Sequence, residues 1–233
     1  MSGRDEGGTS AMQSLYPFLY ADSSDLAAVL EQVRASTVAK AGEILELRRT
    51  IARRDGARMA QCAQQMAARF AAGARLFAFG NGGSATDAQQ IATLFLHPDG
   101  SRPGATARPL PAFGLANDTS VVTALCNDIG VEVVFARQLG AFARPGDIAV
   151  GLSTSGNSGN LLRAFDEASR RGMLTIGLAG YDGGKMAEQD SIDYLFVAPS
   201  ASIHRIQEAQ TTIYQVLWEL TAQEVSHVPG HTG

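Results

Sequence analysis

The stretch FGNGGSATD, residues 79–87, closes an apolar run and opens a helix-like one. The stretch GLSTSGNSGN, residues 151–160, repeats that grammar. Around them, short apolar runs alternate with helical segments: LFAF at 76–79, PAFGLA at 111–116, IAVGL at 148–152, TIGLA at 175–179 and YLFVA at 194–198. Apolar runs without polar alternation suit strands buried on both faces. Helical spacing fills the gaps near 85–95, 119–127, 131–143, 158–171 and 185–189. A last helix over 204–224 carries Ile206, Ile213, Leu217 and Leu220 on one side. Five strands separated by helices predict an α/β fold: a doubly wound five-stranded parallel sheet flanked by helices.

Upstream of the sheet the pattern is helical. Asp22, Ser23 and Ser24 offer capping oxygens, and Leu26, Val29, Leu30 and Val33 follow at helical spacing. Ile44, Leu47 and Ile51 continue a stripe, and RRDG at 53–56 predicts a break. A second helix then carries Met59, Cys62, Ala63, Met66 and Phe70 up to Gly73. The chain therefore divides into a tail (1–21), N-terminal helices (22–73), the sheet domain (74–224) and a second tail (225–233). The aromatic segment LYPFLYADSSD at 15–25 reads as packing against the first helix or a neighbouring subunit, and the Pro/Gly-rich 97–109 as a mobile loop.

Composition excludes some functions. A net charge of −4 without a Lys/Arg block argues against direct nucleic-acid binding. No apolar run approaches the roughly 20 residues of a membrane span, and MSGRDEGGTSAMQS at 1–14 lacks the apolar core of a secretory signal. The expected address is cytoplasmic. Cys62 and Cys126 have no metal-type spacing and read as reduced, packed thiols.

The two loops carry the chemistry. Each lies between the carboxyl end of a predicted strand and the amino end of a helix, where open α/β sheets bind ligands. Helix N-termini present unpaired N–H groups and attract anions. Ser153, Thr154, Ser155 and Ser158 add hydroxyls in one loop and Ser84 in the other. Donors of this kind with no Lys or Arg make a neutral cradle for a phosphate monoester. Neither loop has the G-x-G-x-x-G spacing or the Gly-Lys-Ser/Thr ending of nucleotide sites.

GNGGS-x-x-DA (80–88), NDIG (127–130), LSTSGNS (152–158), GYDGGKMA (180–187) and RIQE (205–208) together resemble the sugar isomerase (SIS) domain. Within it they resemble the sedoheptulose 7-phosphate isomerase (phosphoheptose isomerase) group, to which the DnaA initiator-associating protein is also related. The resemblance spans about residues 40–222. It implies a homotetramer with sugar-phosphate pockets at subunit interfaces. It assigns the phosphate to Ser84, Ser153, Thr154, Ser155 and Ser158, and the sugar chain to Asn81, Gly82, Gly83 and Asp118, with Gln207 near the reacting end.

The chain departs from the family where proton transfer occurs. The family carries a His and, four residues on, a Glu on the helix after GNGGS, and a His eight residues after the Gln of RIQE. With that Gln they bind zinc in some members. Here Gln90, Leu94 and Gln215 stand at those positions, and Gln207 alone is kept. Glutamine has no useful pKa and leucine no polar atom. Asp87 reads as structural, Glu208 as a partner of Arg205, and Tyr214 as a poor base at neutral pH. His204, just before RIQE, is the remaining candidate acid–base group, ahead of His97. The expectation is a phosphosugar-binding protein that is a sensor or scaffold without catalysis, no cofactor, and no zinc. The alternative is an active sedoheptulose 7-phosphate isomerase, or related aldose–ketose isomerase, with substitute residues. A third arrangement pairs the chain with another protein or an active SIS paralogue.

Overall fold

The five apolar runs form one parallel sheet. The computed structural model describes residues 23–97 and 109–227. Expectations for residues 15–22, the loop interior 98–108 and the terminal 228–233 lie outside those residues. The strands are β1 (Leu76–Gly80), β2 (Ala112–Gly114), β3 (Ile148–Ser153), β4 (Leu174–Gly180) and β5 (Tyr194–Ala198). Their order is β2-β1-β3-β4-β5, all parallel. The order reverses between β1 and β3, the crevice where such sheets bind ligands. Those are the two strands that run into the hydroxyl-rich loops.

The helices are α1 (Ser23–Ala71), α2 (Gly83–Leu96), α3 (Thr119–Asp128), α4 (Val134–Phe142), α5 (Gly159–Arg170) and α6 (Ile203–His227). Short 3₁₀ turns cover Val131–Val133 and Gly184–Glu188. Residues of β1, β3 and β4 are buried throughout, as their unbroken apolar character requires. Phe79 of β1 packs against Phe165 of α5 and Phe135 of α4, with ring centroids 5.3 and 5.5 Å apart. Among the described residues, no helix is long and apolar enough to cross a membrane.

Contacts divide the chain into two units, Met1–Glu46 and Leu47–Gly233. In the first, the described residues are helical, and Leu26, Val29, Leu30 and Val33 are exposed along one stripe. The second holds the sheet, its helices and the rest of α1. The expected break at RRDG does not occur: α1 is a single helix of 49 residues. The reason is tertiary. Ile51, Asp55, Met59, Cys62, Met66 and Phe70 are buried at continuous helical spacing, straight through Gly56. A mid-helix glycine costs about 1 kcal/mol, less than that stripe returns by burial.

Asp55 lies on the buried stripe and is satisfied by Arg54, whose Nε donates to Oδ2 at 2.9 Å. Arg54 also donates to the Val197 carbonyl and Arg58 to that of Leu195, at 3.2 Å for the latter. These cations occupy acceptors on edge strand β5 that would otherwise invite pairing. Cys62 sits in the same layer, and burial pushes its thiol up to about 12. Helix α6 runs three residues beyond the expected 204–224, to His227. Its buried side includes Ile206, Ile213, Tyr214, Leu217 and Trp218.

Candidate functional site

At the end of β1 the chain turns at Asn81 and Gly82 and enters α2, with Ser84 N donating to Asn81 O at 3.0 Å. Gly82 takes φ +54, and no side chain caps the helix. Ser84 is buried. Asn81 and Asn160, the latter near the start of α5, exchange reciprocal amide hydrogen bonds at 2.9 Å. That pair ties the first loop to the second. A β-carbon on Gly83 would lie 2.4 Å from Gln207 Nε2, so Gln207 of α6 reaches over the first loop.

The second loop folds on its own hydroxyls. Ser153 Oγ accepts from Gly156 N at 3.1 Å and lies 3.2 Å from Ser158 Oγ. Ser158 occupies the N-cap of α5 yet makes no capping bond. Ser155 Oγ accepts from Asn157 N at 3.2 Å. Thr154 and Ser155 are half-buried. Behind the loop, fully buried Gln210 of α6 donates to Ser153 O at 3.4 Å. Ser155 and Asn157 also line an open cleft of about 740 Å³, shared with Tyr181, Asp182, Pro199, Ser200 and Ala201.

The remaining expected residues are placed as follows. Asp118 is exposed and caps α3, its Oδ1 accepting from Val121 N at 3.0 Å. His204 is exposed in the first turn of α6, and His97 is exposed at the end of α2. Glu208 pairs with Arg205, as read from the sequence. Asp87 lies in α2 and accepts from Tyr214 Oη of α6 at 3.4 Å. Burial raises the Asp87 carboxyl above its ordinary value of 3.8, against the lowering effect of the Tyr214 bond. The folded state therefore holds this proton more tightly than the unfolded chain. Asp87 costs stability at neutral pH, and the cost disappears as pH falls below the unfolded carboxylate range. Asp87→Asn is expected to raise Tm at pH 7, with the gain over the parent shrinking toward pH 3, read by thermal scans across that range.

The sequence model for the SIS domain matches residues 40–180 of this chain. The chain belongs to the SIS-domain family. Among SIS proteins it is 45% identical over 153 residues to the phosphoheptose isomerase of Aquifex aeolicus, covering 66% of this chain and 77% of that one. It is 42% identical over 168 residues to that of Geobacter sulfurreducens, covering 72% and 86%. The solved phosphoheptose isomerase of Neisseria gonorrhoeae superposes with a TM-score of 0.71 at 34% identity, covering 80% of this chain and 96% of that chain.

Among the described residues, the four positions read as the family's zinc and proton-transfer set, Gln90, Leu94, Gln207 and Gln215, do not fit zinc. Gln90 is exposed, Leu94 and Gln215 are half-buried, and Gln207 is held over the first loop. Leucine offers no donor and glutamine is a weak one. Among the described residues, no group of three or more His, Cys, Asp or Glu is placed to hold a metal ion. Sequence reading missed Asn157, Asn160, Tyr181 and Gln210. Asn157 and Asn160 lie in GLSTSGNSGN and Tyr181 in GYDGGKMA, but only neighbours in space set these residues apart.

Proposed function

We propose that this SIS chain binds a phosphorylated sugar across the ends of β1 and β3 and interconverts its aldose and ketose forms. The observation that carries this is the serine-rich loop, folded on its own hydroxyls in a chain 42% identical over most of a phosphoheptose isomerase. Ser84, Ser153, Thr154, Ser155 and Ser158 hold the phosphate with the N-termini of α2 and α5. Asn81, Gly82, Gly83, Asp118 and Gln207 face the sugar chain. The likeness to phosphoheptose isomerases supports a seven-carbon sugar phosphate, such as sedoheptulose 7-phosphate, as the substrate. Assembly as a homotetramer and a cytoplasmic address belong to the same proposal.

Isomerisation moves a proton between adjacent carbons, so it needs a base beside the carbonyl. With Gln90, Leu94 and Gln215 at the family's positions, that base is a substitute. Asp87, read from the sequence as structural, is the carboxylate on α2, one helical turn after Ser84, and burial raises its affinity for a proton above that of an ordinary aspartate. Tyr214 Oη, hydrogen-bonded to it, is the adjacent proton donor.

A second reading is favoured by one observation: the three positions where the family carries His, Glu and His hold Gln90, Leu94 and Gln215, none with a usable pKa. It makes the protein a phosphosugar-binding sensor or scaffold. Proton NMR of sedoheptulose 7-phosphate in D₂O separates the two. Isomerisation predicts aldose product and deuterium at C2, both lost in Asp87→Asn. Saturable binding without exchange selects the sensor or scaffold.

A further inference from the structure

Tyr181 has φ +52 and is the one non-glycine residue with a positive φ among the described residues. A side chain in that region is strained, and glycine or asparagine avoids the cost. Such strain persists where the surroundings over-determine it, and it concentrates at ligand sites. The surroundings here are tight. Gly183 N donates to Gly180 O at 2.8 Å, closing the turn around Tyr181. Gly184 N donates to Asp182 Oδ1 at 3.1 Å, and Lys185 N to Asn157 Oδ1 at 3.0 Å. The turn is thereby fastened to the serine loop.

The core does not account for this tyrosine. Tyr181 is 40% exposed and lines the cleft that Ser155 and Asn157 also line. Asp182 and Ser200 line the same cleft. An aromatic face beside a carboxylate and a hydroxyl is suited to a carbohydrate: the ring packs on C–H groups, and the oxygens meet sugar hydroxyls. We infer that Tyr181, with Asp182 and Ser200, forms a carbohydrate-binding wall beside the serine loop and sets which phosphorylated sugar is held. This rests on the proposal that the serine loop holds the phosphate, and it adds a specificity residue to that site.

Calorimetric titration with sedoheptulose 7-phosphate and, separately, inorganic phosphate tests it on the parent chain, Tyr181→Asn and Tyr181→Phe. Asparagine tolerates the left-handed conformation, so Tyr181→Asn folds with an unchanged or higher Tm. It is expected to weaken sugar-phosphate binding about tenfold while phosphate binding stays within about twofold. Tyr181→Phe keeps the ring and most of the sugar-phosphate affinity. Parent-like affinity for both ligands in Tyr181→Asn overturns the wall and leaves the phosphate site standing. An equal loss for both ligands also overturns it, because the serine loop itself was then disturbed. Failure of the parent chain to bind either ligand overturns the phosphate site, and the wall with it.

Discussion

Gly156→Ala is expected to abolish sugar-phosphate binding and to cost about 3 kcal/mol or more of stability. Gly156 sits in the middle of the serine loop with φ +67, and a β-carbon there would lie 1.9 Å from Gly183 O. The two loops meet backbone to backbone. Gly156 N also donates to Ser153 Oγ at 3.1 Å, and its carbonyl accepts from Met186 N at 3.0 Å. Left-handed strain alone contributes about 1–2 kcal/mol. The collision adds to it, since relief requires the serine loop and the Tyr181 turn to separate. Gly159→Ala is the control: a β-carbon there meets nothing within 4 Å. Gly159 opens α5, so alanine is expected to leave stability unchanged or raise it by up to about 1 kcal/mol. Urea unfolding of both variants checks the contrast. Equal stability of the two would contradict the interlocked loops.

Asp147→Ala is the second large effect, expected to cost about 3–5 kcal/mol because it strands a partly buried cation. Asp147 is 3% exposed at the foot of β3. Its carboxylate accepts from Arg75 N at 2.9 Å, Arg75 Nη2 at 2.7 Å and Arg144 N at 2.8 Å. The Arg75 guanidinium also donates to Phe142 O at 2.8 Å and lies over the Phe77 ring. One carboxylate thus joins the entry of β1, the loop before β3 and the end of α4. Truncation leaves two backbone N–H groups and a guanidinium without that acceptor. Asp147→Asn keeps an acceptor oxygen and is expected to lose less. Chemical denaturation measures both, and a loss below about 1 kcal/mol for alanine would count against this role.

The sheet was legible because parallel strands buried on both faces leave an unbroken apolar signature, as in IAVGL and TIGLA. Helix α1 was misread at RRDG because Gly56 is a local signal and the buried stripe from Ile51 to Phe70 is a tertiary one. The place of the serines was legible because the apolar strand and helix signals on either side put them in strand-to-helix loops. Partnerships across the fold were not. Asn81 reads as a sugar contact, and only the structure brings Asn160 against it. Asp118 reads the same way, and the cap that its Oδ1 makes on α3 is visible only in the fold. Tyr181 is an ordinary tyrosine in the sequence, and its left-handed backbone is visible only in three dimensions.

The most direct measurement is calorimetric titration of sedoheptulose 7-phosphate into the parent chain and into Ser155→Ala. Specific saturable binding by the parent, weakened about tenfold or more when the Ser155 hydroxyl is removed, is the predicted result. Equal affinity in the two proteins, or none in either, would contradict a phosphate held by the loop between β3 and α5.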